Sequence, residues 1–308
     1  MDLIIGNGPL LSERTTLRLG GRALAEVGVG SEAGLDRLAG ELARLGGRPL
    51  VLGWGSNLLA RDGELHLVLI RPQFEQEPEV VGEAQGKVLV RCGAGVRLPL
   101  LLGWAARHGL SGLEGLAGIP GSVGGAVAMN AGSYGVSFCQ AMTRARIWTL
   151  ETGLEWLGPD GYECAYRHFK PRRHDSHDSH GRYGRAGESG LFIVSEVELA
   201  LTPAAGEAVR STMRANLARK KATQPITLAT AGCVYKNPEG NSAGRLLDQA
   251  GFRGLRLGGV GFSDMHANFL ANFGGGTAGQ ALELLEEAWT KVFDLFGVSL
   301  ELEVKVVG

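Results

Sequence analysis

The chain has 308 residues, 44% hydrophobic and 20% charged, with a formal net charge of −1. That length holds more than one domain with ample core. The balanced charge excludes a nucleic-acid binder working through a basic surface, and an acidic disordered tail. The opening Met1-Asp2-Leu3-Ile4-Ile5-Gly6 has no positive n-region and too short an apolar run for a signal peptide. Cys92, Cys139, Cys164 and Cys233 are widely spaced with no C-x-x-C pair. Free thiols in a cytoplasmic protein are therefore expected, with neither a disulfide framework nor structural zinc.

Leu35, Leu38, Leu42 and Leu45 recur at three- and four-residue spacing and predict a helix over 32–45. Residues 49–52 read as a strand, as do 65–70 and 88–92, and 98–108 reads as a helix closed by Gly109. Further strands are expected at 147–150, 191–194 and 197–201. Pro203 is the candidate edge before a smaller second unit, with helices near 207–221, 242–250 and 280–296. A final strand over 300–307 alternates Glu301, Glu303 and Lys305 with apolar residues. No long internal repeat is evident. The short repeat His174-Asp175-Ser176-His177-Asp178-Ser179-His180 sits in a polar segment and reads as a solvated loop, because extended chain does not by itself hold a metal's geometry. No metal site is expected.

The run from Gly115 to Thr143 carries no charged side chain and is rich in glycine. Its centre is Gly118-Ile119-Pro120-Gly121-Ser122-Val123-Gly124-Gly125-Ala126, followed by Asn130-Ala131-Gly132-Ser133-Tyr134-Gly135. Pro120 and the glycines argue against a membrane helix. Either a flat cofactor lies on backbone stripped of Cβ atoms, or the segment is a packed turn cluster. A second loop, Gly53-Trp54-Gly55-Ser56-Asn57-Leu58-Leu59, follows a short strand, where backbone amides can form a nest for phosphate. It lacks the third glycine of a dinucleotide fingerprint, and residues 118–125 lack the Lys-Ser/Thr of a Walker loop. Two such loops suggest a dinucleotide held by a fold other than Rossmann.

Together with Thr15-Thr16-Leu17-Arg18-Leu19-Gly20-Gly21, Gly112-Leu113-Glu114, Tyr166-Arg167, the stretch Gly232-Cys233-Val234-Tyr235-Lys236-Asn237-Pro238 and the ending Phe296 to Val304, these loops resemble the motifs of the UDP-N-acetylenolpyruvoylglucosamine reductase (MurB) family. The matches keep the family's order from about Thr15 to Val306. The resemblance implies an α+β protein with a two-part FAD-binding domain of the PCMH/vanillyl-alcohol-oxidase type and a smaller α+β substrate domain. The expected division is 1–72 and 73–203 for the flavin parts, 204–298 for the substrate domain, and 299–308 for a strand contributing to the active site.

The same resemblance implies noncovalent FAD, NADPH as hydride donor and a UDP-sugar substrate in peptidoglycan precursor synthesis. It implies no nucleic-acid, membrane or obligate protein partner. In that family reduced flavin passes hydride to C3 of the enolpyruvyl group and an enzyme acid protonates C2. Arg167 matches the active-site arginine, a planar fork suited to a carboxylate. Glu303 matches the C-terminal glutamate. Cys233 stands where many relatives carry a serine proton donor, and a thiol with an ordinary pKa of about 8.5 is largely protonated at pH 7. The cofactor contacts implied are Gly53, Trp54, Gly55, Ser56, Asn57 and Leu58, then Gly118, Ile119, Pro120, Gly121, Ser122, Gly124, Gly125 and Ala126, with Asn130 and Gly132. Tyr166, Lys236 and Asn237 fall to the substrate. The chain departs from the pattern at Tyr166-Arg167-His168-Phe169-Lys170, two positions shorter than the family's usual Tyr-Arg-Asp-Ser-x-Phe-Lys. An oxidase or dehydrogenase of the same fold with another substrate is the alternative; a cysteine hydrolase pairing Cys233 with His266 would have no use for the two loops.

Overall fold

A computed structural model describes residues 2–172 and 190–308. The His-rich stretch 174–180 lies outside them. Contacts divide the chain into two compact units: residues 1–6, 27–53 and 68–216, and residues 7–26, 54–67 and 217–308. The chain passes from one to the other inside the strands Arg22–Val29 and Glu64–Pro72 and inside the helix Gly206–Thr223.

The first unit is built on an antiparallel sheet in the order Gly153–Leu157, Met142–Thr149, Phe192–Pro203, Lys87–Gly93, Glu79–Ala84. The short strand Leu110–Ser111 also pairs with the end of Phe192–Pro203. Alternation along these strands sends Val90, Cys92, Ala145, Ile147, Val197 and Leu199 into one apolar core. Leu98, Leu101 and Leu102 of the helix Leu98–Arg107 join them, with Val123 and Val127 of the short helix Val123–Ala128. Residues of opposite parity, Arg91, Arg144 and Glu198, meet as ion pairs of 3.2 and 2.8 Å. The Trp156 ring lies beneath both guanidinium groups. The predicted strands 191–194 and 197–201 are one strand, Phe192–Pro203, with a bulge at Ser195, since Arg146 faces Glu196 and Ile147 faces Val194.

The leucine-spaced helix runs Glu32–Leu45, capped by Ser31, whose hydroxyl accepts from the Gly34 amide, and ended by Gly46 at φ 72°.

The expectation of free thiols holds for two cysteines and is corrected for the other two. Cys139 and Cys164 are joined as a disulfide across 25 residues of sequence, with Cα atoms 6.7 Å apart. Linear spacing hides this pair, because a helix end and a hairpin strand bring it together. Cys92 and Cys233 are not disulfide-bonded. Burial, and secondarily Glu196, pushes the Cys92 thiol up to about 12, so it is an inert core residue.

The second unit carries a sheet in the order Ala229–Cys233, Phe269–Asn272, Val260–Phe262, Arg256–Leu257. Its core gathers Val234, Tyr235, Leu246, Phe262, Leu270 and Leu284. The long helix Ala278–Phe296 begins two residues before the predicted start because Thr277 and Gln280 form a capping box. Asp62 adds a carboxylate that accepts from the Ala278 and Gly279 amides at 3.0 and 2.9 Å. The predicted C-terminal strand shrinks to Lys305–Val307, parallel to Leu58–Ala60. Ahead of it only the isolated bridge Tyr235–Leu302 remains, since the Glu303 and Val304 amides both turn to the Val234 carbonyl. No described helix is long and apolar enough to cross a membrane.

Candidate active site

In the first unit the uncharged glycine run becomes a turn and the six-residue helix Val123–Ala128. The amides of Val123 and Gly124 donate to the carbonyls of Val96 and Ala94 at 2.9 and 2.8 Å. Ser122 accepts from the Gly125 amide at 3.2 Å. The start of this helix is therefore occupied by the protein itself. A Cβ at Gly124 would lie 3.0 Å from the Ala94 side chain, so this glycine admits a neighbouring loop. A Cβ at Gly53 would lie 2.7 Å from the Ser122 hydroxyl.

What stays accessible is uncharged backbone at Gly118, Pro120 and Gly125. Gly118 and Gly121 hold φ values of 83° and 127°, which keep side chains off that surface. A Cβ at Gly125 would find only the Ser122 hydroxyl, at 3.4 Å. At Gly118 and Gly125 this uncharged surface has no Cβ to hold a flat ring off the backbone.

Arg167 occupies the tip of a hairpin in the same unit. The strands Tyr162–Ala165 and His168–Pro171 pair through Ala165 and His168, leaving Tyr166 and Arg167 as a two-residue turn. Arg167 takes φ 54°, the sign a type II turn needs at its second central position. The two positions missing from the family pattern thus give a tight turn. Its guanidinium donates to the Gly132 carbonyl at 3.2 Å and lies 5.2 Å from the Tyr166 ring centre. Asn130 has both ends of its amide engaged: it donates to the Ala165 carbonyl at 2.9 Å and accepts from the Cys139 amide at 3.1 Å.

In the second unit Cys233 ends the strand Ala229–Cys233, just past a register break and Gly232 at φ 80°. The Glu303 amide donates to the carbonyl of Val234, the residue after Cys233, at 2.8 Å. Lys236 and Glu301 pair twice, amide to carbonyl and side chain to side chain. Asn57 donates its side-chain amide to the Glu303 carbonyl at 2.9 Å and its own carbonyl accepts from the Lys305 amide. Gly55 stands at φ 61° with its carbonyl accepting from the Thr16 amide, and Thr16 also donates its hydroxyl to the Thr230 carbonyl at 2.6 Å. Trp54 is exposed, Ser56 and Asn57 are half-buried and Leu58 is buried. Asn237 accepts from the Ala243 amide at 3.1 Å.

Two residues of this unit carry more than their sequence signal suggests. Asn268, almost fully buried, accepts from the Tyr235 amide at 3.0 Å and donates to its carbonyl at 2.8 Å, completing the pairing that the bulge interrupts. Thr16 ties the 53–57 loop to the strand of Cys233. A buried asparagine beside aromatics is the only hint of the first. Burial, then Arg253, lowers the His266 pKa, and its Nδ1 accepts from the Asn268 amide. Among the described residues no His/Cys/Asp/Glu group is placed to hold a metal.

Residues 23–155 match the family described as FAD binding domain, and residues 224–307 match the UDP-N-acetylenolpyruvoylglucosamine reductase C-terminal domain. The UDP-N-acetylenolpyruvoylglucosamine reductase of Nitratidesulfovibrio vulgaris is 50% identical over 301 residues, 97% of each chain. The chain belongs to the UDP-N-acetylenolpyruvoylglucosamine reductase family. The reductase of Oleidesulfovibrio alaskensis is likewise 50% identical over 309 residues, 99% of each chain. A solved structure, the reductase (MurB) from Thermus caldophilus, superposes with a TM-score of 0.79 at 32% identity and covers 99% of this chain and 100% of its own. Membership fixes an α+β fold with a flavin domain of the PCMH/vanillyl-alcohol-oxidase type, in an FAD-containing oxidoreductase.

Proposed function

We propose that Arg167, Cys233 and Glu303 carry the reaction that family membership assigns to this chain. That reaction is the NADPH-dependent reduction of UDP-N-acetylenolpyruvoylglucosamine to UDP-N-acetylmuramate, a step in cytoplasmic peptidoglycan precursor synthesis. The observation that supports these roles best is the backbone bond from the Glu303 amide to the Val234 carbonyl, which brings residue 303 to the strand end that carries the half-buried Cys233.

The accessible backbone of 118–125 and the 53–58 loop hold the FAD. When bound, FAD supplies the two-electron carrier between NADPH and the enolpyruvyl group. Arg167 binds the acceptor's carboxylate as a fixed fork, its turn backbone and the Gly132 carbonyl limiting where the guanidinium can point. Charge develops on that carboxylate as C3 gains hydride, and Arg167 with Glu303 stabilises it. Cys233 delivers the proton to C2; a neutral thiol is a competent general acid at pH 7. Lys236 and Asn237 orient the UDP part, and Tyr166 packs beside the acceptor.

Anaerobic stopped-flow tests all of this together. NADPH should bleach the 450 nm flavin band, and the UDP-enolpyruvyl sugar should then restore it. A flavin that NADPH reduces but this sugar does not reoxidise would overturn the assignment of substrate.

A further inference from the structure

We infer that the Cys139–Cys164 disulfide is a redox-sensitive positioning bond for Arg167, so that the thiol state of this pair sets how well the protein holds its acceptor. This rests on the assignment of Arg167 to the substrate carboxylate.

The hairpin tip that carries Arg167 is exposed at Ala165, Tyr166 and His168. Its base is anchored by Tyr162 and Phe169 in the core, but the tip needs other ties. Three converge on the segment 130–139. Arg167 donates to Gly132, Asn130 bridges the Ala165 carbonyl to the Cys139 amide, and the disulfide joins Cys164 to Cys139. Only the last is covalent, and it sits three residues from Arg167. Losing it removes the covalent tie and leaves noncovalent ones, among them the Arg167 and Asn130 hydrogen bonds, each worth roughly 1 kcal/mol net. A left-handed residue such as Arg167 keeps its conformation only while its surroundings over-determine it.

The pair is also reachable. Both cysteines line an open cavity of about 470 Å³ with Met142, Glu163, His168 and Arg172. Thiol–disulfide exchange requires a thiolate to approach one sulfur, and such a wall permits it. In a reducing compartment disulfides are rare and mostly transient or redox-sensing, which suits a switch better than a permanent staple.

The step balances with a dithiol as co-reactant. One thiolate of the dithiol attacks a sulfur of the pair, giving a mixed disulfide and one cysteine thiolate. The second thiolate then displaces the other cysteine. The dithiol leaves as a disulfide, having given two electrons, and Cys139 and Cys164 each end as a thiol after protonation.

The experiment uses flavin-loaded full-length protein in three states: oxidised, reduced with dithiothreitol and freed of it anaerobically, and reoxidised with diamide. Alkylation in denaturant should count two free thiols in the oxidised protein, Cys92 and Cys233, and four after reduction. Reduction should raise the KM for the UDP-enolpyruvyl sugar about tenfold or more, since small misplacement of a binding group is costly. Flavin reduction by NADPH should stay within about twofold, and diamide should restore the KM. Cys139→Ser/Cys164→Ser should match the reduced protein and ignore dithiothreitol. If that variant does not fold, the reversible wild-type comparison decides alone. Four free thiols before reduction, or an unchanged KM after it while Arg167→Ala raises the KM, would overturn the inference. An Arg167→Ala protein with normal acceptor kinetics would instead overturn the role of Arg167 itself.

Discussion

The side-chain amide of Asn57 donates to the backbone carbonyl of Glu303 at 2.9 Å, joining residues 246 positions apart. A loop read from the sequence as a phosphate nest is thus also the support of the C-terminal glutamate. Asn57→Asp keeps the shape but removes the donor and sets a carboxylate against a carbonyl. It should cost about 1–3 kcal/mol of stability and slow acceptor reduction. Thermal melts beside half-reaction kinetics check this, and an unchanged melt would show the bond to be dispensable.

Cys233→Ser should keep substantial activity, because a hydroxyl occupies the same place and can deliver a proton. Cys233→Ala should slow flavin reoxidation by the acceptor by about 10²–10⁴-fold, the usual contribution of a general acid. FAD content and reduction by NADPH should hardly change in either. Near wild-type turnover in the alanine variant would leave Cys233 a packing residue.

Arg167→Ala and Glu303→Gln should leave reduction by NADPH nearly intact while slowing reoxidation by the enolpyruvyl sugar, since both act on the acceptor's carboxylate. Separate half-reactions decide this. A defect confined to the NADPH step would remove both assignments.

Gly55→Ala tests the loop geometry. The new Cβ would fall 2.2 Å from the Arg14 carbonyl oxygen, at a residue with φ 61°. The left-handed backbone alone costs about 1–2 kcal/mol, and the clash forces the loop off Thr16. The variant should melt lower and carry less flavin per chain. Full flavin content by absorbance would show that the loop adapts.

Glu198 gives a pH test of the first unit. Burial would raise its carboxyl, but hydrogen bonds from Arg144 and Arg91 outweigh this and hold its pKa below the ordinary value. A depressed folded pKa means that the stabilisation is complete above the unfolded glutamate value, about 4.3, and is lost as pH falls through the folded one. Glu198→Gln should therefore lower the melting temperature at pH 7 and flatten its acid dependence below pH 5. Parallel melting curves for the two proteins at all pH values would refute the linkage.

The helix Glu32–Leu45 is legible in its leucine spacing, and the family in the ordered motifs from Thr15 to Val306, because both are local properties of the chain. The family resemblance, and not any local pattern, marks Arg167, Cys233 and Glu303 as candidates for the chemistry. Alternation alone misjudges the strand of residues 300–307: its last residues pair with Leu58–Ala60, but 301–304 meet the irregular stretch after the bulge at Cys233, and a bulge leaves no trace in periodicity. The glycine of Gly124 shows in the sequence; that it admits Ala94 does not, since close approach is a relation between segments. The tertiary structure likewise decided that residues 7–26 and 54–67 belong with 217–308, that Cys139 meets Cys164, and that Asn57 and Asn268 serve as backbone partners. Spacing in sequence records what a residue can do, whereas its partner is fixed only when chain folding brings distant backbone groups within hydrogen-bonding reach.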